Sequence, residues 1–247
     1  MTVPSPASWP SIAGRERDPM RQLDLVLMAA VLGLAGCSPR AAPPGEALAS
    51  PPPKGIALPT PRMTGEMSLE EALLKRRSVR AFTSQPLTLE EISQLLWAAQ
   101  GITSDWGGRT APSAGALYPL ELYVATPDGF THYVPQGHRL EVRSGEDLRA
   151  RLWAVSLMQS AVQEAPAVIV VTAVHARTEA KYGAQRSPRY VHLEAGHAAQ
   201  NILLQAVALN LGAVPIGAFL DDQVQAVLSL PSDHRPLYLI PVGHPKE

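Results

Sequence analysis

The stretch Tyr190-Val-His-Leu-Glu-Ala-Gly-His-Ala-Ala-Gln-Asn-Ile-Leu-Leu-Gln-Ala-Val-Ala-Leu-Asn-Leu-Gly-Ala-Val-Pro-Ile-Gly-Ala-Phe219 decides how the rest of this chain is read. Its first part is long enough for about five helical turns. Leu193, Ala195, Ala198, Ala199, Ile202, Leu203, Leu204, Ala206, Val207 and Leu209 leave little polar face, so burial all round is expected. Alanine and glycine dominate its first half, where another backbone can approach closely. Gly212 is the expected stop, because glycine takes the left-handed cap conformation without penalty. The run Ala213-Val-Pro-Ile-Gly-Ala-Phe219 is apolar, is broken by Pro215 and Gly217, and has little bulk at its glycine. Such a segment suits a flat ligand lying against the main chain. A core helix followed by an ordinary strand is the plain alternative, and the flanking segments weigh against it.

Upstream, Ser68-Leu-Glu-Glu71 is a capping box opening a helix that ends near Lys75 or Arg76. Lys75-Arg-Arg-Ser-Val-Arg80 follows. A basic run is usually a solvated face, but arginine forks beside a serine hydroxyl also suit a phosphate. Thr88-Leu-Glu-Glu91 opens a second helix, with Leu89, Ile92, Leu95, Leu96 and Ala99 on one face and Gly101 at its end. The loop from Gly101 to Tyr118 is rich in glycine and proline, and loops of that length inside a domain are often functional.

Strands are expected at Leu122–Thr126, after the Asp128-Gly129 turn at Phe130–Val134, and at Leu140–Val142. Ser144 is expected to cap a helix containing Leu148, Leu152 and Val155. Ala167-Val-Ile-Val-Val-Thr-Ala173 is a continuous β-branched run and hence a central buried strand. A loop from His175 to Pro188 leads to the central helix. Asp221 is expected to cap a short helix, and Leu237–Gly243 closes the sheet. The fold class is α+β, a mixed but mostly antiparallel sheet packed between helices.

The 247 residues carry a net charge of -1, which gives no electrostatic case for nucleic acid. The single cysteine, Cys37, excludes an intrachain disulfide framework or a multi-cysteine zinc site. His192 and His197 are five apart, missing the four-residue spacing of a helical metal pair, and no metal site is expected. Arg21 followed by the apolar run Leu25–Leu34 has the shape of a secretory signal, too short to span a bilayer. Leu34-Ala-Gly-Cys37 resembles the bacterial lipobox, which implies lipidation at Cys37, export, and membrane attachment only through the lipidated N-terminus. Residues 1–37 therefore read as the signal region, with Met20 a candidate start. Residues 38–65 read as a proline-rich tether, and 66–247 as the folded domain.

Five segments stand in the order seen in the FMN-dependent nitroreductase family: Arg76-Arg-Ser-Val-Arg80, Pro112-Ser-Ala-Gly-Ala-Leu-Tyr-Pro119, Glu194-Ala-Gly-His-Ala-Ala-Gln-Asn201, Pro215-Ile-Gly-Ala-Phe219 and Val242-Gly-His-Pro245. Residues 66–244 resemble that family, and the second segment looks most like its SagB-type branch, which includes thiazole- and oxazole-forming dehydrogenases. The resemblance implies a homodimer with FMN sites at the interface. It implies that Arg76, Ser78 and Arg80 hold the phosphate and ribityl chain, with Arg77 beside them and Lys246 as a C-terminal phosphate ligand. It implies that Pro112, Ser113 and Ala114 reach the flavin from the partner subunit. Pro215, Ile216, Gly217 and Ala218 would pass beside the ring, and Gly115 and Asn201 belong to the same cofactor-binding set.

The branch also carries a Lys-Tyr pair implicated in proton abstraction, which Lys181 and Tyr182 match. On the residues alone the pair reads equally as a surface lysine beside a packing tyrosine. The implied substrate is a small molecule or peptide-derived. Its pocket would come from the loops Thr103–Trp106 and Ala176–Pro188. Export would favour oxygen, another acceptor or a partner protein over NAD(P)H. The chain ends at Glu247 without the arm many relatives wrap around their partner, so a flavin-poor binding module is the alternative. A flavin-fragmenting enzyme is a third reading.

Overall fold

The computed structural model describes residues 55–246. The signal region, Cys37 and the tether up to residue 54 lie outside them. In chain order the elements are β1 (Gly55–Ala57), α1 (Leu69–Lys75), α2 (Leu89–Gln100), β2 (Leu120–Thr126), β3 (Gly129–Val134), β4 (Arg139–Ser144), α3 (Arg149–Val155), α4 (Ser160–Glu164), β5 (Ala167–Val174), α5 (His175–Tyr182), α6 (Ser187–Ala208), β6 (Gly212–Ala213), α7 (Asp221–Val227) and β7 (His234–Gly243). The strands form one sheet in the order β1-β4-β3-β2-β5-β7-β6. Every ladder is antiparallel, and a lone parallel bridge joins Ser78 to Ala213.

β5 is the axis of the sheet. All eight of its residues are buried, because helices cover both faces. Ala167, Ile169, Val171 and Ala173 point into a core with α2 and α6, while Val168 and Val170 point into a second core with α3, α4 and α7. That alternation is the two-residue period of a strand. The expected α+β class, with a mostly antiparallel sheet between helices, is what the chain forms.

α2 has a full capping box, in which Thr88 Oγ1 accepts from the Glu91 N–H and the Glu91 carboxylate accepts from the Thr88 N–H. α1 has only half of one, because the Glu71 carboxylate pairs with Lys75 at 2.6 Å.

Several boundaries differ from the sequence reading. α6 ends at Ala208, and Asn210 rather than Gly212 takes the left-handed turn, with φ 58°. Asn210 N–H bonds Val207 O and Leu211 N–H bonds Ala206 O, which together make a Schellman motif. Gly212 is required for another reason: a Cβ there would lie 2.6 Å from Val79 Cβ. Nor is α6 buried all round, since Leu193 is 50% exposed. His175–Tyr182 is a helix, not a loop. Ser144 ends a strand, and α3 and α7 are capped by Leu148 and Leu220 instead of Ser144 and Asp221.

The folded unit also begins before Glu66. β1 pairs with β4, and the Leu58 N–H bonds His138 O at 3.1 Å. Ser93 Oγ donates to Pro59 O at 2.7 Å, and the Arg62 N–H donates to Gln94 Oε1 at 2.7 Å. A segment rich in proline still docks where its carbonyls and N–H groups meet side chains of α2. No described helix is long and apolar enough to cross a membrane.

Candidate active site

Main-chain pairing gathers three distant segments at the end of β7. Val79 N–H bonds Ala213 O at 3.1 Å, which lays the basic run after α1 against β6. Thr83 N–H bonds His244 O at 2.8 Å and Lys246 N–H bonds Ala81 O at 3.1 Å, which brings the C-terminal residues to the same place. Arg76 is half-buried, while Arg77, Ser78 and Arg80 are exposed. Arg77 Nη1 donates to Leu74 O and Arg76 O, which ties its guanidinium to the end of α1. Among the described residues, no carboxylate pairs with Arg76, Arg77 or Arg80. Lys246 Nζ does have a partner, Glu164 Oε2 at 3.0 Å.

The chain then runs from β6 along β7. Ile216 is buried and exchanges both main-chain bonds with Leu239, at 2.8 and 3.0 Å. Pro215 has no N–H to give. Gly217 and Ala218 are exposed, and their N–H groups have no partner among the described residues. Gln159 Nε2 holds the Ala218 carbonyl at 2.8 Å. The result is a short exposed backbone edge offering N–H donors, four residues along the chain from the point where the basic run pairs with Ala213.

A second cluster forms near the start of β2. Gly115 has φ 64°, and a Cβ there would sit 2.7 Å from Lys181 Nζ and 3.0 Å from Tyr182 Oη. The absence of a side chain at Gly115 is what lets the Lys-Tyr pair rest on the glycine-rich loop. The Tyr182 ring packs against Tyr190 of α6 at a tilt of 50°, with centroids 4.6 Å apart. Lys181 is exposed in the single chain, so any enclosure must come from elsewhere. Pro112 is exposed, and Ser113 and Ala114 are half-buried beside it.

The arginine segment and the start of α5 attach at opposite ends of β5. Ala213 pairs with Val242, which pairs with Ala167 at the start of β5. Val174 at its other end donates to Pro119 O at 2.8 Å and leads into α5. Seven residue rises, about 23 Å, separate those two ends of β5. Asn201 joins neither cluster: its Nδ2 donates to Ala98 O at 3.0 Å and Thr110 O at 3.5 Å, bracing the end of α2 and the following loop.

Behind the second cluster is a buried polar group to which sequence reading assigned no role. Glu194 of α6 is 2% exposed, and its Oε1 has no partner. Burial pushes its carboxyl up to about 7, against the opposing pull of the Ser113 hydroxyl and the Arg109 guanidinium. Gln100 is 1% exposed, and its Nε2 is also unpartnered. Its Oε1 accepts from Arg109 at 2.8 Å, and Arg109 stacks on the Tyr118 ring at 4.5 Å. Arg177 of α5 donates to Tyr118 O and pairs with Glu121. The only sequence signal was a lone acid on the inward face of an otherwise apolar helix.

Residues 73–244 match the model of the nitroreductase family. A provisionally named nitroreductase of Methanocaldococcus jannaschii is 44% identical over 72% of this chain and 91% of its own length. A crystal structure from Ralstonia eutropha, also provisionally a nitroreductase, is 35% identical over 78% of this chain and 90% of that one, with a TM-score of 0.72. The NADPH:FMN oxidoreductase of Vibrio harveyi shares the fold at 24% identity and a TM-score of 0.55 over 72% of this chain and 69% of that one. The chain therefore belongs to the nitroreductase family, and it is an oxidoreductase.

Proposed function

We propose that this oxidoreductase is an FMN-dependent dehydrogenase of the SagB-type branch, acting on a small or peptide-derived substrate as a homodimer. The observation that carries the reading is one segment, Ala213–Ala218, that takes the basic run with its unpaired Arg76 and Arg80 at Ala213 and exposes the unpartnered N–H groups of Gly217 and Ala218 a few residues on. Guanidinium forks suit a phosphate, and an exposed glycine backbone suits a flat ring. Ser78, Arg77 and, on exchanging Glu164 for the ligand, Lys246 extend the phosphate-binding end of this set, and Pro215 and Ile216 shape the ring end. FMN, when bound, supplies the two-electron chemistry.

The chain's own residues bind, orient and handle the proton. Lys181 Nζ, with Tyr182 Oη beside it over Gly115, takes the proton released from the substrate. That pair is reached from the end of β5 opposite the one that carries the arginine segment, so we assign its approach to the ring, with that of Pro112, Ser113 and Ala114, to a second copy.

The surface suits such a pairing. Leu69, Leu73 and Leu74 of α1 are 61%, 51% and 73% exposed, and Leu193 of α6 is exposed with them. Leu69, Ala72, Trp97, Leu204 and Ala208 line an open groove of about 360 Å³ between α1, α2 and α6. Apolar patches of this kind mark interfaces. Asn201, which lines the same groove, is assigned to bracing instead of to flavin contact.

At the N-terminus, we read Cys37 as the lipidated residue of an exported protein anchored in the cell envelope.

Titrating FMN into the protein tests the reading. Wild type should bind with a yellow spectrum, and Arg76→Ala with Arg80→Ala should weaken binding at least about 100-fold. Equal affinity in the double variant would refute the phosphate assignment. Mass analysis of the processed N-terminus tests Cys37, where an unmodified cysteine would refute the anchor.

A further inference from the structure

Lys181 Nζ and Tyr182 Oη stand over Gly115 without a hydrogen bond or ion pair to any described residue. Their place is therefore set by the packing of Tyr182 on Tyr190 and by how α5 itself is held. The helix begins where the Val174 N–H bonds Pro119 O at 2.8 Å. Arg177 follows, one turn before Lys181 and on the same side of the helix. Two of its nitrogens serve two acceptors: Nη1 donates to Tyr118 O at 2.9 Å, and Nη2 donates to the Glu121 carboxylate. Glu121 is fixed in turn, because its Oε2 meets His132 Nε2 of β3 at 2.6 Å. Both acceptors lie where the chain leaves the glycine-rich loop and enters β2, so one guanidinium spans α5, the loop exit and the sheet.

The loop exit is a strained place. Ala116 and Tyr118 have left-handed backbones, with φ 54° and 46°. Residues with a Cβ persist in that region only where their surroundings over-determine it. The Tyr118 N–H donates to Ser113 Oγ at 2.9 Å, and its hydroxyl accepts from the Arg109 N–H at 3.2 Å. Those partners belong to the loop itself. Arg177 supplies the bond from outside it.

We propose that Arg177 is a positioning residue: by holding the Tyr118 carbonyl and the Glu121 carboxylate at once, it clamps α5 to the loop exit and sets where Lys181 and Tyr182 stand over Gly115. This rests on the flavin-dehydrogenase reading, in which that pair takes the substrate proton. The fork of an arginine suits such a bridge, and a lysine carries its charge on a single nitrogen.

Nuclear Overhauser cross-peaks read the placement directly and need no substrate. Lys181 Cδ lies 3.2 Å, and Tyr182 Oη 3.0 Å, from the point where a Gly115 Cβ would be. The Gly115 hydrogen on that side should therefore give cross-peaks to the Lys181 methylenes and the Tyr182 ring in wild type. Arg177→Ala should lose them. Arg177→Lys should keep part of their intensity, and Glu121→Gln, which retains an oxygen for Nη2, should keep them in full. If Arg177→Ala folds poorly because the Glu121 carboxylate is left unpaired by arginine, Arg177→Leu with Glu121→Gln removes the clamp without stranding a charge, and it too should lose the cross-peaks. An Arg177→Ala protein that melts at lower temperature yet keeps wild-type cross-peaks would make Arg177 a stabilising residue alone and overturn the proposal. An FMN titration beside these spectra tests the underlying reading separately. A wild type that binds no FMN, but whose cross-peaks vanish in Arg177→Ala, would refute the flavin chemistry and leave the clamp standing.

Discussion

One methyl group at Gly212 should loosen both the fold and the flavin site. An ideal Cβ there would lie 2.6 Å from Val79 Cβ and Cγ1 and 3.0 Å from Cγ2. Carbon atoms rest at about 3.5–4.0 Å, so Val79 must retreat by roughly 1 Å. Its Cβ is fixed to the main chain, so no rotamer change relieves the contact. The backbone from Ser78 to Arg80 has to move, and the Val79 N–H to Ala213 O bond of 3.1 Å stretches. Overpacking of this kind costs about 1–3 kcal/mol. In a unit of this size that lowers Tm by roughly 3–10 °C. Displacing the arginines should also weaken FMN by about tenfold or more, the value of one charge-assisted hydrogen bond. Thermal unfolding with and without FMN, beside an FMN titration, measures both effects. Gly217→Ala is the control for stability, because its nearest neighbour, Tyr238 Cε1, is 4.0 Å away. A Gly212→Ala protein with wild-type Tm and affinity would refute the packing of the arginine segment against β6.

Other outcomes follow from the same geometry. Gly115→Ala meets only the tips of Lys181 and Tyr182, so the left-handed backbone, at about 1 kcal/mol, should dominate and lower Tm by about 2–4 °C; a fall above about 10 °C would show that the pair is locked and cannot be displaced. Asn201→Leu removes two hydrogen bonds to buried carbonyls and should cost about 1–3 kcal/mol in a denaturant titration with FMN affinity unchanged; weakened FMN would return Asn201 to the flavin set. His138 donates from Nε2 to Ser93 and accepts from Tyr133 at Nδ1, and burial holds its pKa below the ordinary 6.5. It is therefore neutral in the folded state while the unfolded chain takes up the proton first. Its contribution is full above pH 6.5 and is lost as pH falls below that value towards the folded-state pKa. Urea unfolding at pH 7.5 and 5.5 should show this loss in wild type and a smaller one in His138→Gln; equal losses would contradict it.

Much of the fold was legible because its signals are local. The β-branched run at Ala167–Ala173 has Thr172 as its one polar residue, its hydroxyl spent on Glu121 O, and only a strand covered on both sides tolerates such a run. Ser68 and Thr88 mark helix starts by side-chain chemistry alone. What escaped was decided at a distance. Gly212 looked like a helix stop, but its smallness serves Val79, a residue more than 130 positions earlier. His175–Tyr182 carries a polar face that reads as loop, and becomes a helix where it packs on α6. Leu58 and Pro59 sit in a proline-rich composition, yet the acceptors and donors of Ser93 and His138 hold them. In the site, the arginine cluster and the glycine edge were visible as types of residue. Their meeting depends on pairing between Ser78 and Ala213. Glu194 was visible only as an acid in an apolar row, because its environment comes from a loop and two other helices.

The most direct measurement of the central claim is the mass in solution of the purified protein together with its bound flavin. The account predicts a dimer carrying one FMN per chain, which loses the flavin on Arg76→Ala with Arg80→Ala and loses the dimer on Leu73→Glu with Leu74→Glu. A colourless monomer that takes up no added FMN would contradict it.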